Sequence, residues 1–202
     1  MYKESIGGSF SLQSSRYNVN SYQRDIELVR KNLIDILGNL EFNSVLDVDC
    51  GKGSLLEIIS KNYSDVSISG IDSSEDKLKA AKRRLGADSD LILCNSEILP
   101  WDQSSFDLVL CVNSFQHYRH PERVLAEIKR VIKPEGYLLI TDDWKASPTR
   151  QLMNLLSVLF KKKIKIYSKG MIESFLDQYG FKLIDWKLLI KDEYMLIAQL
   201  QG

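Results

Sequence analysis

The stretch SVLDVDCGKGS, residues 44–54, decides the fold. Its apolar, β-branched first part predicts a strand that ends in a carboxylate, and the periodic apolar residues of LLEII at 55–59 predict a helix after the turn. Gly51 and Gly53 in that turn would let the backbone come close to a ligand, beside the partly positive amides of the helix N-terminus. The glycines alone are equally compatible with a tight turn that binds nothing.

A second strand, predicted over 66–72, also ends in a carboxylate. Asp72 follows the turn by about 20 residues, the spacing at which a βαβ unit places an acid on a ribose hydroxyl. The unit therefore predicts a nucleoside-binding half-fold. A dinucleotide would need a small residue where Leu56 stands, for close helix packing beside the pyrophosphate, so a dinucleotide-dependent oxidoreductase is disfavoured.

The pattern VLDxxCGxG at 45–53, followed by GIDSS at 70–74, resembles the first two motifs of class I S-adenosylmethionine-dependent methyltransferases. The resemblance is strongest to the small-molecule group called type 11 and continues to about Asp142. It implies an α/β, Rossmann-like three-layer sandwich, S-adenosylmethionine as cofactor and a small-molecule substrate. One position departs from the family, because Asp49 stands where glycine is usual.

The resemblance also implies a cofactor site at the strand ends. Its members in this chain are Asp47, Asp49, Gly51, Gly53, Asp72, Ser73, Asn95, Ser96 and Asn113. Asp47 and the turn at Gly51 would receive the methionine end, Asp72 the ribose hydroxyls, and Asn95 with Ser96 the adenine. The family commonly has Asp at the position of Asn95, and an amide oxygen can accept the same hydrogen bond.

The predicted fourth strand, 105–112, ends at the carboxyl edge of the sheet, where open α/β folds bind ligands. Asn113 would lie near the cofactor's amino group. His117 is the residue that fits a catalytic base, because an imidazole with a pKa of about 6.5 can take a proton from a phenol or hydroxyl. A structural or exposed histidine is the alternative.

Asp49 could overturn the enzymatic interpretation. A Cβ at this position can strain the turn, and a carboxylate beside the cofactor's own carboxylate would repel it, whereas pairing with the cofactor's ammonium would be favourable. A second hypothesis is therefore a methyltransferase-like fold with impaired cofactor binding that serves as an interaction module.

The rest of the chain predicts one seven-stranded mixed sheet with a C-terminal antiparallel hairpin. Strands 181–190 and 194–200 are joined by Lys191–Asp192, which is too short for a crossover. The other predicted strands are 90–94 and 137–141, and the predicted helices are 22–40, 73–86, 121–131, 149–160 and 168–179. The run KPEG at 133–136 is predicted to form the turn between a helix and the fifth strand.

Length and composition predict a single domain over 1–202, since 202 residues that are 44% hydrophobic can build one full core. Residues 1–21 are predicted to form a mobile arm, and Tyr17 or Tyr22 could fold over the cofactor. The resemblance implies that 145–167 is a variable lid over the acceptor.

The charge balance argues against nucleic acid and against an anionic membrane surface as partners, because 27 Lys and Arg offset 27 Asp and Glu. The basic run Lys161–Lys165 is interpreted as a solvated helix end. His117 and His120 lack clustered partners at ligand spacing, so no metal site is predicted. The oligomeric state is left open.

The cysteines and the termini indicate a cytoplasmic protein. Cys50, Cys94 and Cys111 are widely spaced in apolar runs, so they are predicted to be buried free thiols in a reducing compartment. The chain shows neither a leader pattern nor an apolar run of about 18 residues, so no signal peptide or membrane span is predicted.

Overall fold

The computed structural model describes residues 32–86, 89–160, 164–190 and 193–202. The chain divides into two compact units, Met1–Asn39 and Leu40–Gly202. In the first unit, residues 32–37 form the described part of helix α1, and Leu33 and Leu37 are buried. The predicted arm 1–21, the two candidate tyrosines Tyr17 and Tyr22, and the start of the predicted helix 22–40 lie outside the described residues.

The second unit is built on a seven-stranded sheet with the order β3-β2-β1-β4-β5-β7-β6. The strands are β1 (Ser44–Val48), β2 (Ser67–Asp72), β3 (Asp90–Leu93), β4 (Phe106–Val112), β5 (Ile132–Asp143), β6 (Phe181–Ile190) and β7 (Glu193–Leu200). Strands β1 to β5 are parallel, and β7 runs antiparallel to both β5 and β6. The predicted Rossmann-like α/β fold, with its mixed sheet and terminal hairpin, is confirmed.

The helices follow the predicted βα alternation. They are α2 (Ser54–Asn62), α3 (Glu75–Leu85), α4 (Pro121–Val131), α5 (Thr149–Leu159) and α6 (Lys169–Gln178), with a 3₁₀ turn at Phe115–His117. Ser74 is the N-cap of α3, and its hydroxyl accepts from the Lys77 amide. Side-chain capping of this kind satisfies an amide that the helix itself leaves unpaired, so it fixes where α3 begins after Asp72.

The centre of the sheet positions the site. Every residue of β1 is buried, because the strand pairs with β2 on one side and β4 on the other. In this register Asp47 lies beside Gly70 and Leu110. A strand covered on both faces needs a nearly continuous apolar sequence, so the carboxyl group of Asp47 is an exception that calls for a role.

The predicted bounds of β5 were wrong. The strand begins at Ile132, directly after α4, and the KPEG run lies inside it. Its pairing with β4 shifts register between Phe106 and Leu108, and a Cβ on Gly136 would lie 2.9 Å from the Lys133 carbonyl oxygen. The proline and glycine that signalled a turn instead form an irregularity within the strand.

The cysteines match their prediction in part. Cys50 and Cys111 are buried free thiols, whereas Cys94 is only half-buried. The Cys94 Sγ donates to the Ile98 carbonyl oxygen at 2.8 Å, which satisfies a thiol near the surface. Within the described ranges, no cluster of potential metal ligands is present, and no helix combines the length and apolar character needed to span a bilayer.

Candidate cofactor site

A cavity of about 780 Å³ opens at the carboxyl edge of the parallel strands. The predicted site residues that line it are Asp49, Ser73, Asn95, Ser96, Asn113 and His117. Sequence reasoning missed the lining residues Lys77, Glu97, Ser114, Tyr118, Arg119 and Val124. A concave space of this size at the end of a parallel sheet is where doubly wound folds bind nucleosides.

Four predicted site residues are absent from the cavity lining: Asp47, Gly51, Gly53 and Asp72. Asp47 and Asp72 are buried at 3% and 1% exposure, so they act beneath the surface of the cavity. Gly53 packs α2 onto α3, because a Cβ there would lie 3.0 Å from the Ala81 Cβ. Gly51 has a φ of 59° and open space around its Cα, as a turn that approaches a ligand requires.

Asp72 organises the turn between β1 and α2. Its Oδ2 accepts from the Gly51 amide at 3.0 Å, and its Oδ1 accepts from the Ser74 amide at 2.8 Å. The Lys77 ammonium also lies 3.2 Å from Oδ2. The predicted ribose role of Asp72 must therefore use a remaining lone pair or displace Lys77, which lines the cavity where Asp72 does not.

Asp47, Asp49 and Asp72 form a cluster of three carboxyl groups around one turn, called here the acidic cluster. Burial raises the pKa of Asp47 well above its usual value, and the negative charges of Asp49 and Asp72 raise it further. Burial also raises the pKa of Asp49, against a hydrogen bond from the Tyr118 hydroxyl. Like charges in a desolvated site disfavour ionisation, so the cluster favours a positively charged ligand.

The backbone at Asp49 is strained. Its φ of 64° is left-handed, a conformation that costs residues with a Cβ about 1 kcal/mol or more and that Asp tolerates better than most. The Tyr118 hydroxyl, which hydrogen-bonds Asp49, also contacts the Ser114 Oγ at 3.1 Å. The expected strain from the missing glycine is thus present, and the side chain is held at the cavity wall.

Asn95, after β3, was predicted to accept a hydrogen bond from the adenine, but its side chain already has a partner within the protein. Its Oδ1 already accepts from the Glu97 amide at 3.0 Å, which closes a local turn. An amide oxygen has two lone pairs, so Asn95 can accept a second hydrogen bond from a ligand. Ser96 is buried next to it, and Glu97 is paired with Arg123 at 3.2 Å.

The turn that carries His117 is anchored from below. The Gln116 amide donates to the Asp142 Oδ2 at 2.9 Å, and Asp142 is a buried acid whose pKa burial raises well above its usual value. His117 itself is exposed on the cavity wall. Asn113, with a φ of 53°, donates its amide to the Thr141 carbonyl at 2.8 Å and turns the chain from β4 toward this wall.

Residues 46–140 match the family described as "Methyltransferase domain", a span that runs from β1 through the acidic cluster and the cavity to β5. This part of the chain is a class I methyltransferase domain. A SAM dependent methyltransferase from Aquifex aeolicus shares the fold, with a TM-score of 0.67 and 22% identity over 85% of this chain and 89% of that one.

Two curated relatives are enzymes with named acceptors. Phthiotriol/phenolphthiotriol dimycocerosates methyltransferase 1 of Mycobacterium ulcerans is 33% identical over 153 residues, covering 69% of this chain and 53% of the relative. Demethylmenaquinone methyltransferase of Thermotoga maritima is 30% identical over 113 residues, covering 56% and 49%. The chain spans about half the length of these relatives.

One of the missed cavity residues, Lys77, had a signal that helix geometry could have supplied. Side chains on a helix tilt toward its N-terminus, so Lys77 in the first turn of α3 points back to the end of β2. Tyr118 lacked such a signal, since its contact with Asp49 joins residues far apart in sequence.

Proposed function

We propose that this domain transfers the methyl group of S-adenosylmethionine to a small-molecule acceptor of lipid or quinone character. The acidic cluster beside the cavity is the observation that carries the proposal. S-adenosylmethionine brings a sulfonium and an ammonium, and two of the three carboxyl groups have pKa values that burial raises. A ligand with two cationic groups would let these carboxyl groups ionise.

The residues present fit that cofactor. Asp49 would hold the ammonium, and the buried Asp47 would add negative charge beneath it. Asp72 would hold the ribose through its remaining lone pairs, and Asn95 with Ser96 the adenine edge. Gly51 contributes backbone that no side chain screens, because its Cα faces open space. When bound, S-adenosylmethionine supplies an electrophilic methyl group.

The chain's own part in the reaction is positioning. An in-line displacement needs the acceptor oxygen held against the methyl carbon with water excluded, and few catalytic side chains are required. His117 lies exposed on the cavity wall, where it would take the proton from an acceptor hydroxyl. Tyr118 would hold Asp49, and Asp142 would fix the turn that presents His117.

The names of the relatives support the acceptor class. One acts on phthiotriol and phenolphthiotriol dimycocerosates and the other on demethylmenaquinone. The first name denotes an ester of a triol and the second a quinone, so both relatives act on small molecules of lipid or quinone character. Each relative is matched over only about half its length, so the acceptor of this chain is inferred from chemistry that both share.

Calorimetric titration of the purified chain with S-adenosylmethionine, S-adenosylhomocysteine and NAD tests the cofactor. We expect both sulfur nucleosides to bind and NAD to give no heat. If neither S-adenosylmethionine nor S-adenosylhomocysteine binds, the result favours the interaction module instead. Transfer of labelled methyl to a demethylated quinol or a long-chain alcohol then tests the acceptor, and loss of transfer in His117→Ala with cofactor affinity unchanged tests the base.

A further inference from the structure

Helix α5 has a polar side toward the protein and an apolar side toward solvent. The side chains of Asn154 and Ser157 face the protein. Asn154 pairs with the backbone of Ile166 through two hydrogen bonds, from its Nδ2 to the Ile166 carbonyl oxygen and from the Ile166 amide to its Oδ1, both at 2.9 Å. Ser157, the buried residue of the helix, donates to the Ile164 carbonyl at 2.7 Å. An ordinary surface helix places its apolar side inward, so this helix has the opposite orientation.

The apolar side of α5 is exposed. Between 40% and 75% of each of the following side chains is accessible: Leu152, Met153, Leu155, Leu156, Val158, Leu159 and Phe160. We call this set the α5 face. Single exposed apolar residues are ordinary, whereas a contiguous group of large ones marks a surface that binds something apolar.

The charges along the sequence segment that contains α5 have one sign. From Trp144 to Ile172 the sequence contains no Asp or Glu, and its charged residues are Lys145, Arg150, Lys161, Lys162, Lys163, Lys165 and Lys169. Lys161 to Lys163 lie outside the described residues, so only their positive charge in the sequence is considered. The net charge of zero averages over the whole chain, whereas the charged residues of this segment are all basic.

We propose that the α5 face docks on the surface of an anionic lipid bilayer. A helix with an apolar side, basic flanks and no acidic residue lies in the plane of the headgroups, with its apolar side chains among the acyl chains. Lysines next to it gain from the negative surface potential. A protein partner of ordinary composition would supply no such uniform negative field, so the bilayer is the occupant that both features fit.

The same face is connected to the cavity. The Lys165 amide donates to the Gln116 carbonyl at 2.9 Å, so the segment that receives the Asn154 and Ser157 hydrogen bonds also holds the turn that carries His117. Docking would then bring a bilayer-dissolved acceptor toward the site, a consequence that rests on the proposed function. The docking itself does not depend on methyl transfer.

Sedimentation of the full chain with lipid vesicles tests the proposal. We expect the protein to pellet with vesicles of phosphatidylcholine and phosphatidylglycerol in equal amounts and to remain in solution with phosphatidylcholine alone. Sodium chloride at about 1 M, which shortens the Debye length to about 3 Å, should release it. Absence of binding to the mixed vesicles overturns the proposal.

Two double variants distinguish binding through the α5 face from non-specific binding through other exposed apolar residues. Val158→Ser/Leu159→Ser should lower the vesicle partition coefficient roughly tenfold or more, because both side chains leave water on docking. Ile184→Ser/Leu188→Ser is the matched control, since these residues are 51% and 54% exposed on β6, and it should leave partitioning unchanged. Equal loss in both variants, or loss in neither, overturns the assignment.

Light scattering and calorimetry complete the test. If the chain is a dimer that Val158→Ser/Leu159→Ser dissociates, the face is an interface between copies and the lipid proposal is wrong. S-adenosylmethionine titration of the same variant should match the parent, since none of its changes line the cavity. Failure of cofactor binding in the parent would overturn the proposed function and leave the vesicle result standing.

Discussion

The Lys77 ammonium lies 3.2 Å from the Asp72 Oδ2, which also accepts the amide of Gly51. One lysine thus touches the acid that orders the turn and lines the cavity in which a cationic cofactor is proposed to bind. Its positive charge would oppose the sulfonium and the ammonium, and its contact would compete with the ribose for Asp72.

Lys77→Met should therefore tighten S-adenosylmethionine binding, by about threefold to tenfold. The ion pair is half exposed on the lysine side, so solvent limits the effect. Titration calorimetry at low and high salt measures it, and the gain should shrink as salt screens the charges. Lys79→Met on the same helix is the control, because Lys79 pairs with Glu75 and does not line the cavity. Weaker binding by Lys77→Met would show that the lysine assists the cofactor.

Asp72→Ala should weaken S-adenosylmethionine binding by about 1.5 to 3 kcal/mol, the range for a lost hydrogen bond to a charged group. The variant removes the proposed ribose acceptor and releases the Gly51 and Ser74 amides. Circular dichroism checks that the fold persists. Asp76→Ala, exposed in the first turn of α3, is the matched control. An unchanged dissociation constant in a folded Asp72→Ala protein would refute the site.

The sequence predicted what depends on local pattern and missed what depends on packing. Buried strands show as apolar runs, and the apolar-rich segment 149–160 predicted α5. The sequence of a helix with a polar and an apolar side does not say which side is buried. In α5 the polar side lies inward, because Asn154 pairs with the backbone of Ile166. The KPEG run misled because proline and glycine serve a strand irregularity as well as a turn.

The free energy of unfolding of the unliganded protein should depend on pH through the buried Asp47. Its native pKa is raised above the unfolded value of about 3.8, so the native state binds the extra proton between these two values. The free energy of unfolding contributed by Asp47 is then highest at low pH and falls as pH rises through that window, by at most about 1.4 kcal/mol per pH unit. A salt-bridged carboxylate would show the opposite slope.

Urea unfolding of the parent and Asp47→Asn at several pH values above about 5 measures this contribution as a difference. The difference is needed because burial also raises the pKa values of Asp49 and Asp142, which titrate with the same sign as Asp47. We expect the parent to lose stability relative to Asp47→Asn as pH rises, and saturating S-adenosylmethionine to abolish that loss. Asp177→Asn, exposed on α6, should run parallel to the parent. Parallel curves for Asp47→Asn would contradict the raised pKa.

Asp49→Gly should stabilise the fold by about 1 kcal/mol, since glycine adopts a φ of 64° without the cost of a Cβ. If the domain binds its cofactor, Asp49 is tolerated by pairing with the ammonium, and affinity should change by less than about tenfold, or 1.4 kcal/mol. If the domain has lost the cofactor, removing the Cβ and the negative charge should make binding appear or tighten by far more.

Ser104→Gly is the matched control for strain. Ser104 has a φ of 54° and does not line the cavity, so its replacement should gain similar stability and leave cofactor affinity unchanged. The intact hydrogen bonds of Asp72 and the hold of Tyr118 on Asp49 favour a working site. A parent without measurable binding that Asp49→Gly alone converts into a binder would therefore show that the acidic cluster repels the cofactor, and that the interaction module is the better account.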